Sequence, residues 1–283
     1  MTKEFGAWPS DFPSVMHFVD HKNVCAKPWR LLENHPDYDA AKNHEDMDAA
    51  LRLVQDILNI PENEKQLLTL NKKYPNAIVV PIRAIEAGGK NRIPVMFAEY
   101  ISKFGNWDID KSIIQTNKVH RTGSDEWHRF AFRPTFDGEV KEKSSYILVD
   151  DVFSFGGSFN ELRLFIEKNG GKVLQTAAMA LGGHGDKIAP EPEIMKSLID
   201  KHGQNNLESF LKEIDLYEGN YKSLTNPEAF ALRRAPSLDF ARDKIIAARC
   251  HRMSQMGTES SQEYKASRKI DPQTHSSGHE FHI

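Results

Sequence analysis

The sequence predicts an α/β protein with a mostly parallel sheet flanked by helices, an N-terminal arm and a C-terminal helical extension. Two observations carry this prediction. Short β-branched runs alternate with helical periodicity from about residue 76 to residue 181, which is typical of a parallel sheet with helices on its faces. Beyond residue 189 the patterns are helical. Hydrophobic residues make up 39% of the chain and charged residues 27%, so a packed core is expected.

The 283 residues divide into four predicted segments. Residues 1–42 are rich in Pro, Trp, His and Asp without a clear period, and we interpret them as an irregular arm. Residues 43–188 form the α/β core, and residues 189–256 form the helical extension. Residues 257–283 are rich in Ser, His and Gln, and we expect this tail to be mobile.

The first half of the core begins with two predicted helices. Residues 44–60 place apolar side chains at helical spacing and acidic side chains in the first turn. Pro61 suits the first turn of a second helix that extends to about Tyr74. The β-branched run 76–82 predicts a buried strand, and residues 93–104 predict the next helix.

The second half of the core continues the alternation. Residues 111–119 predict a strand, and residues 126–143 predict a two-stranded excursion around an Asp-Gly turn. A hydrophobic strand then begins at Tyr146 and runs into two adjacent aspartates. A helix over 158–169 and a strand over 172–181 complete the predicted core.

Three loops follow the carboxyl ends of the predicted strands, over residues 83–92, 150–157 and 182–187. In open parallel sheets ligands bind outside these ends. We therefore expect the three loops to gather around one ligand site.

The loop that begins with Asp150 and Asp151 is the most informative segment. Two adjacent carboxylates repel each other, so a fold gains little from them unless a cation or a hydroxyl-rich group binds there. Carboxylates favour hydroxyl donors and hydrated Mg²⁺. The pair therefore indicates a site for a diol or a metal ion.

The residues after the acid pair suit a phosphate. Gly156 and Gly157 allow a tight backbone whose N–H groups converge on an anion. The helix that begins near Ser158 adds the partial positive charge of its N-terminus, and the hydroxyls of Ser154 and Ser158 add donors. Since carboxylates would repel a phosphate at contact, a sugar phosphate satisfies both halves of the loop.

The segment 149–158, Val-Asp-Asp-Val-Phe-Ser-Phe-Gly-Gly-Ser, resembles the signature of type I phosphoribosyltransferases, with the flavour of the ComF-like and purine-salvage branches. The resemblance covers about residues 76–183. Phe155 departs from the pattern, because the family usually has a hydroxyl residue there, and one phosphate donor is lost. Ser154 stands where many purine enzymes carry an acid, which favours an acceptor that needs no such base.

The resemblance implies the type I phosphoribosyltransferase fold and Mg²⁺-dependent transfer of ribose 5-phosphate from phosphoribosyl diphosphate (PRPP) to a nucleobase-like acceptor, with release of pyrophosphate. Basic residues of a flexible hood would neutralise the pyrophosphate. The implied residues fall into three groups: Asp150, Asp151 and Arg121 for catalysis, with Mg²⁺ on the two aspartates; Ser154, Phe155, Gly156, Gly157 and Ser158 for the 5′-phosphate; and Arg83, Ala84, Lys90 and Lys118 for pyrophosphate.

Several weaker candidates accompany this set. His120 belongs to the same hood, and His184 and Asp186 follow the last core strand, near the expected acceptor. We interpret Arg129 and Arg133 as strand-face residues without a ligand. His275, His279 and His282 have the spacing of a helical metal site, but they lie in the tail, and an unstructured tail is the favoured interpretation.

Alternative functions stay open at this stage. The chain resembles a transferase, but a protein that senses PRPP or a nucleotide without catalysis has Phe155 and the irregular loop 83–92 in its favour. A third hypothesis has the C-terminal helices dock a protein or nucleic acid. An ordinary strand–turn–helix with surface acids is the simplest alternative.

Composition constrains location and partners. The net charge of −3 argues against broad, non-specific binding to nucleic acid. The sequence contains no apolar run of bilayer length and no secretory signal pattern at its start. Cys25 and Cys250 lack metal or redox spacing. We expect a cytoplasmic protein whose partners are PRPP and a small-molecule acceptor, without membrane or clear nucleic-acid partners, and with a homodimer left open.

Overall fold

The computed structural model describes residues 5–19, 32–83, 91–117, 119, 125–183 and 185–251. Seven strands lie in these ranges: β1 Met16–His17, β2 Ile78–Pro81, β3 Asp108–Ile109, β4 Ile114–Gln115, β5 Phe136–Asp137, β6 Ser145–Phe153 and β7 Lys172–Leu181.

The helices of the same ranges are α1 Tyr38–Asn43, α2 Met47–Leu58, α3 Pro61–Lys73, α4 Ile93–Gly105, α5 Glu126–Ala131, α6 Gly157–Lys168, α7 Pro192–His202, α8 Gln204–Glu213, α9 Asn226–Arg234 and α10 over 238–251. Two 3₁₀ turns, Tyr217–Gly219 and Tyr221–Ser223, lie between α8 and α9. None of the described helices is long and apolar enough to cross a bilayer.

Five strands form one sheet in the order β1-β7-β6-β2-β3, and every neighbouring pair is parallel. Strands β4 and β5 form a separate antiparallel pair. Helices cover both faces of the large sheet, so the predicted α/β architecture with a mostly parallel sheet is confirmed.

Strand β6 lies at the centre of the sheet, between β7 and β2. Its residues from Tyr146 to Val149 are all buried, as expected for a central strand that is covered on both faces. Val149 pairs with Pro81 of β2, and Asp150 pairs with Ala178 of β7. The acid pair therefore lies on the central, buried strand of the sheet.

Two hydrophobic cores lie on opposite faces of the sheet. On one face, Phe97 of α4 and Leu53 of α2 belong to the core that contains Ile147 and Val149 of β6. On the other face, helix α6 packs onto the alternate residues of the strand, and that core contains Tyr146, Leu148, Phe159, Leu162 and Ile166. The alternation of side chains along β6 thus separates the two layers.

The C-terminal helices form a third core that reaches back into the α/β unit. Leu207 and Phe210 of α8 and Leu232 of α9 share this core with Phe155 and Phe130. Phe155 comes from the loop after β6, so the helical extension is packed against the predicted phosphate loop.

The structure corrects two of the predicted strands. In place of one strand over 111–119, residues Asp108–Ile109 pair with β2 at the edge of the sheet, and among the described residues of 111–119 a strand is limited to Ile114–Gln115. In place of a hairpin over 126–143, Glu126–Ala131 form helix α5. The side chain of Asp125 accepts a hydrogen bond from the His128 N–H at 2.8 Å, and this N-cap favours the helix over a strand.

The N-terminal segment also differs from an irregular arm. Met16 and His17 pair in parallel with Ala177 and Ala178 of β7 and so form one edge of the sheet. Helix α1 lies in the same segment, with Ala41 buried in the core. The proposed mobile tail lies outside the described residues.

Glu228 provides a test of how the helical extension is attached. Its fully buried carboxylate binds Arg133, the Tyr217 hydroxyl and the Thr225 N–H. We expect Glu228→Gln to lower the free energy of unfolding by about 3 kcal/mol, because it leaves the Arg133 charge poorly paired. Urea denaturation measures this loss.

The matched control is Asp239→Asn, which removes an exposed carboxylate paired with Arg242. That change is expected to alter stability by less than about 0.5 kcal/mol. An equal, small effect of both substitutions would contradict a structural role for the buried pair.

Candidate functional site

The acid pair lies where β6 approaches its end, and its two side chains belong to different faces of the sheet. Asp151 continues the alternate row of Ile147 and Val149, which faces helices α1 to α4. Asp150 continues the row of Leu148 and is partly buried. Asp151 is only 5% exposed, so its charge needs a partner within the protein.

Asp151 finds that partner in Lys42 of helix α1. The Lys42 Nζ forms an ion pair with the Asp151 Oδ2, and the Asn91 Nδ2 donates to the same oxygen at 3.0 Å. The other carboxylate oxygen, Oδ1, accepts from the Val152 N–H at 2.8 Å. Both oxygens of Asp151 are thus bound within the chain.

The charges shift the proton affinities of the cluster in opposite directions. Burial alone would raise the pKa of Asp151, but the charge and hydrogen bond of Lys42 hold this pKa below its usual range. Burial would lower the pKa of Lys42, but the Asp151 carboxylate raises it instead. Burial and the neighbouring charge of Asp151 raise the pKa of Asp150 well above its usual value.

The loop after the acid pair begins helix α6 with a glycine in the left-handed region. Gly156 has a φ of +80° and occupies the N-cap position, where a residue with a side chain would be strained. Because glycine has no side chain, the first turn of α6 has no side-chain cap. An anion can therefore take that role at this end of the helix.

Phe155 is an anchor of this loop. Its ring is 3% exposed and packs edge-on against Phe130, with ring centroids 5.2 Å apart. Its carbonyl accepts a hydrogen bond from the Thr225 Oγ1 at 2.8 Å. The side chain at the position of the missing hydroxyl is thus built into the helical extension.

The two glycines of the loop are buried, Gly157 against Arg133 and Gly156 against Thr225 of the extension. A Cβ at Gly157 would lie 2.6 Å from the Arg133 Nη1, and a Cβ at Gly156 would lie 3.1 Å from the Thr225 Cγ2. Ser154 and Ser158 are the partly exposed positions of the loop. A phosphate would reach the loop from the side of these two hydroxyls.

A cavity of about 380 Å³ adjoins Ser154. The Arg129 Nη1 donates to the Ser154 Oγ at 2.7 Å, and burial lowers the pKa of Arg129. The lining combines helix α5 and its cap with the loops after β6 and β7, through Asp125, Glu126, Trp127, Arg129, Ser154, Phe155 and Gly182. Two of the three loops expected to gather at the sheet edge therefore share one cavity.

The first loop joins the same edge through Asn91, which binds Asp151. Arg83 lies two residues beyond Pro81, the partner of Val149, but its guanidinium donates to the Lys111 carbonyl. The structure thus places the Arg83 side chain toward the segment that follows β3. The backbone carbonyl of Asp186, in the loop after β7, accepts a hydrogen bond from the Val15 N–H at 2.8 Å.

The other predicted site residues cannot be placed. They lie outside the described residues and comprise Ala84, Lys90, Lys118, His120, Arg121, His184, His275, His279 and His282. Their roles stay predictions.

The groups around Asp151 bear on the predicted magnesium site. A magnesium ion held directly by both carboxylates does not fit this arrangement, because Lys42 and Asn91 already bind the Oδ2 of Asp151. The described residues also contain no group of three His, Cys, Asp or Glu side chains that is suited to a metal ion. The magnesium requirement itself stays a prediction.

Four residues of the site escaped the sequence prediction in different ways. Lys42 is 109 positions from Asp151, so no local pattern connects them. Asn91 belongs to a loop that the sequence did place at the site. Arg129 and Arg133 were interpreted as strand-face residues without a ligand; instead, Arg129 lies on a helix and lines the cavity, and Arg133 pairs with Glu228 and Glu161.

The chain has relatives of similar sequence in two bacteria. It is 38% identical over 248 residues to Protein TraN of Escherichia coli, and the aligned region covers 87% of this chain and 52% of that protein. It is also 38% identical over 162 residues to an uncharacterized protein of Haemophilus influenzae, which covers 57% of this chain and 34% of that protein. The chain thus spans about half the length, or less, of these relatives. No protein-family model matches it.

Among solved structures the chain is similar to adenine phosphoribosyltransferases. One crystal structure shares 16% identity and a TM-score of 0.29 over 44% of this chain and 72% of that chain. The enzyme from Leishmania donovani shares 14% identity and a TM-score of 0.31 over 60% and 65% of the two chains. Similarities this weak support no conclusion about the activity of the present chain.

The opposite pKa shifts of the two acids predict opposite effects of two isosteric substitutions at neutral pH. Asp150→Asn is expected to raise the free energy of unfolding, because burial and the neighbouring Asp151 charge make the ionised form of Asp150 less favourable in the folded protein than in the unfolded chain. Asp151→Asn is expected to lower it by about 2 kcal/mol, because Lys42 loses its partner. Urea denaturation at several pH values measures both effects.

The pH dependence gives each effect its own signature. The advantage of Asp150→Asn shrinks as the pH falls through the raised pKa of Asp150, since the wild-type group then becomes neutral. The contribution of Asp151 is present above the pKa of an unfolded aspartate and is lost as the pH falls through its lowered pKa in the folded protein. Equal destabilisation by both substitutions would refute this electrostatic assignment.

Proposed function

We propose that this chain binds a pentose 5-phosphate of the PRPP type and transfers its ribose 5-phosphate unit to a small acceptor, with release of pyrophosphate. One observation carries the proposal. A buried acid pair on the central strand is followed, within five residues, by a left-handed glycine that begins a helix. A diol site and a phosphate site would thereby lie a few residues apart.

The 5′-phosphate would bind at the start of α6. The helix N-terminus favours an anion, and the partly exposed Ser154 and Ser158 supply hydroxyl donors. Phe155 removes one hydroxyl donor from this site, but its packing against Phe130 fixes the backbone around the phosphate. Phosphate binding far from the reacting carbon contributes binding energy that orients the sugar.

The ribose hydroxyls would donate to the acid pair. Asp150 is partly buried and Asp151 is pinned by Lys42 and Asn91, so the carboxylates are held in place before the sugar arrives. As the bond between the anomeric carbon and the diphosphate breaks, pyrophosphate leaves with the electron pair and positive charge develops on the ring. Nearby carboxylates stabilise that charge.

The acceptor would occupy the cavity beside Ser154. Its volume of about 380 Å³ lies at the lower end of the range of small-molecule sites. A nitrogen of the acceptor forms the new bond to the anomeric carbon and then loses its proton. Ser154 offers no carboxylate for this proton, and Arg129 binds its hydroxyl, so the acceptor is one that loses the proton readily to solvent.

The pyrophosphate side rests on residues whose roles are predictions. Arg83, Ala84, Lys90, Lys118 and Arg121 would neutralise the leaving group, as the resemblance implies. Magnesium, if required, would accompany the diphosphate of the ligand, since the acid pair as arranged does not fit a directly bound ion.

A second candidate function is a sensor that binds PRPP or a nucleotide without turnover. The burial of Phe155 in the helical extension favours it, since binding at the loop would be transmitted to those helices.

Calorimetry with PRPP and Mg²⁺, followed by an assay of pyrophosphate release with a panel of purine and pyrimidine bases, tests both functions. We expect saturable binding with a Kd between about 1 μM and 1 mM, and pyrophosphate release with at least one base. Saturable binding without release would favour the sensor, and absence of binding would contradict both functions.

Ser158→Ala locates the binding to this loop. Loss of one hydrogen bond to a charged phosphate is expected to weaken PRPP binding about tenfold. Ser197→Ala, an exposed serine on α7, is the matched control and is expected to leave affinity unchanged. Equal affinity of the two variants would place the ligand elsewhere.

A further inference from the structure

Lys42 is the described cation at the acid pair, and it comes from outside the strand–loop segment that defines the site. It lies on α1, before the predicted core begins, and reaches Asp151 across 109 positions of the chain. Its side chain is 23% exposed and that of Asp151 is 8% exposed. The contact is thus shielded from solvent on the acid side.

Helix α1 is also held in place by contacts other than this ion pair. Ala41, the neighbour of Lys42, is fully buried in the core, and its carbonyl accepts a hydrogen bond from the Arg92 N–H at 2.9 Å. Arg52 of α2 also binds Asp37, the N-cap residue of α1. Since these contacts already fix the helix, the position of Lys42 calls for another explanation.

The charge of Lys42 changes what the acid pair can bind. The Lys42 ammonium cancels one negative charge at the pair, whereas two bare, ionised carboxylates would attract a divalent cation. The ammonium and the Asn91 amide together occupy the Oδ2 of Asp151, while the Oδ1 accepts from the Val152 N–H. A neutral diol can still donate hydrogen bonds to the Asp150 carboxylate and to the remaining lone pairs of the Asp151 oxygens.

We propose that Lys42 is the resident cation of the sugar site, holding the acid pair for the ribose hydroxyls in place of a directly bound magnesium ion. This inference rests on the proposed function. It makes Lys42 a positioning residue for Asp151, and it makes binding of the sugar at the acid pair independent of divalent metal.

Ribose 5-phosphate is the probe that isolates this role, because it lacks the diphosphate that would itself bind magnesium. Calorimetry is performed in EDTA and in Mg²⁺ on the full chain. The wild-type Kd is expected to agree within twofold between the two buffers. Wild-type binding that appears only with Mg²⁺ would overturn the role of Lys42 and leave the proposed function standing.

The Lys42→Met variant removes the charge and keeps the length of the side chain. We expect its affinity for ribose 5-phosphate to fall at least tenfold in EDTA and to recover at least in part with Mg²⁺, since the vacated pair then accepts the ion. A merely structural lysine would not produce this magnesium rescue. Lys42→Arg keeps the charge and is expected to bind in EDTA as the wild type does.

Arg52→Met is the matched control, because it loosens α1 through Asp37 without touching the acid pair. Its binding is expected to stay independent of magnesium. Unchanged binding by Lys42→Met in both buffers would overturn the inference, as would binding of PRPP without binding of ribose 5-phosphate. Failure of the wild type to bind either ligand in either buffer would overturn the proposed function as well.

Discussion

The site depends on how a buried carboxylate at the end of a central parallel strand is neutralised. Strand β6 is covered on both faces, so Asp151 enters a region from which water is largely excluded. An isolated ion there would be costly. Lys42 supplies the opposite charge and Asn91 supplies a hydrogen bond, and this arrangement leaves Asp150 as the acid with the raised proton affinity. The two acids are adjacent in sequence but differ in proton affinity.

A second constraint ties the loop after the acids to the C-terminal helices. Phe155 is packed in the core of those helices, and Arg133 links the glycine turn to the buried Glu228. The loop that would bind phosphate is therefore supported from behind by a hydrophobic ring and a buried ion pair. Such support holds backbone N–H groups in position. Under the proposed function it would also connect ligand binding to the helical extension.

The sequence predicted the α/β class and the main central elements because buried parallel strands leave an unmistakable hydrophobic run. Residues 146–149 and 172–181 are such runs, and the acids and glycines after β6 mark its carboxyl end. The short edge strands were harder to predict. Two-residue strands such as Asp108–Ile109 and Met16–His17 are defined by pairing with a neighbour, and no local pattern encodes them.

The residues of the candidate site could be predicted where they lie in the loops that follow the predicted strands. The segment from Asp150 to Ser158 lies within nine residues and displays its chemistry directly. Lys42 and Arg129 reach the site from helices that are distant in sequence, and neither carries a local signal. Helix α5 differs from the predicted strand because the Asp125 side chain caps its N-terminus. This cap favours the helix in spite of the β-rich composition that follows.

A crystal structure of the chain soaked with ribose 5-phosphate tests the central claim most directly. We expect the phosphoryl group at the first turn of α6, within hydrogen-bonding distance of Ser154 or Ser158. We expect the ribose diol to contact Asp150 and Asp151, with Lys42 still bound to Asp151. A sugar phosphate bound away from this loop, or a diol that does not contact either acid, would contradict that claim.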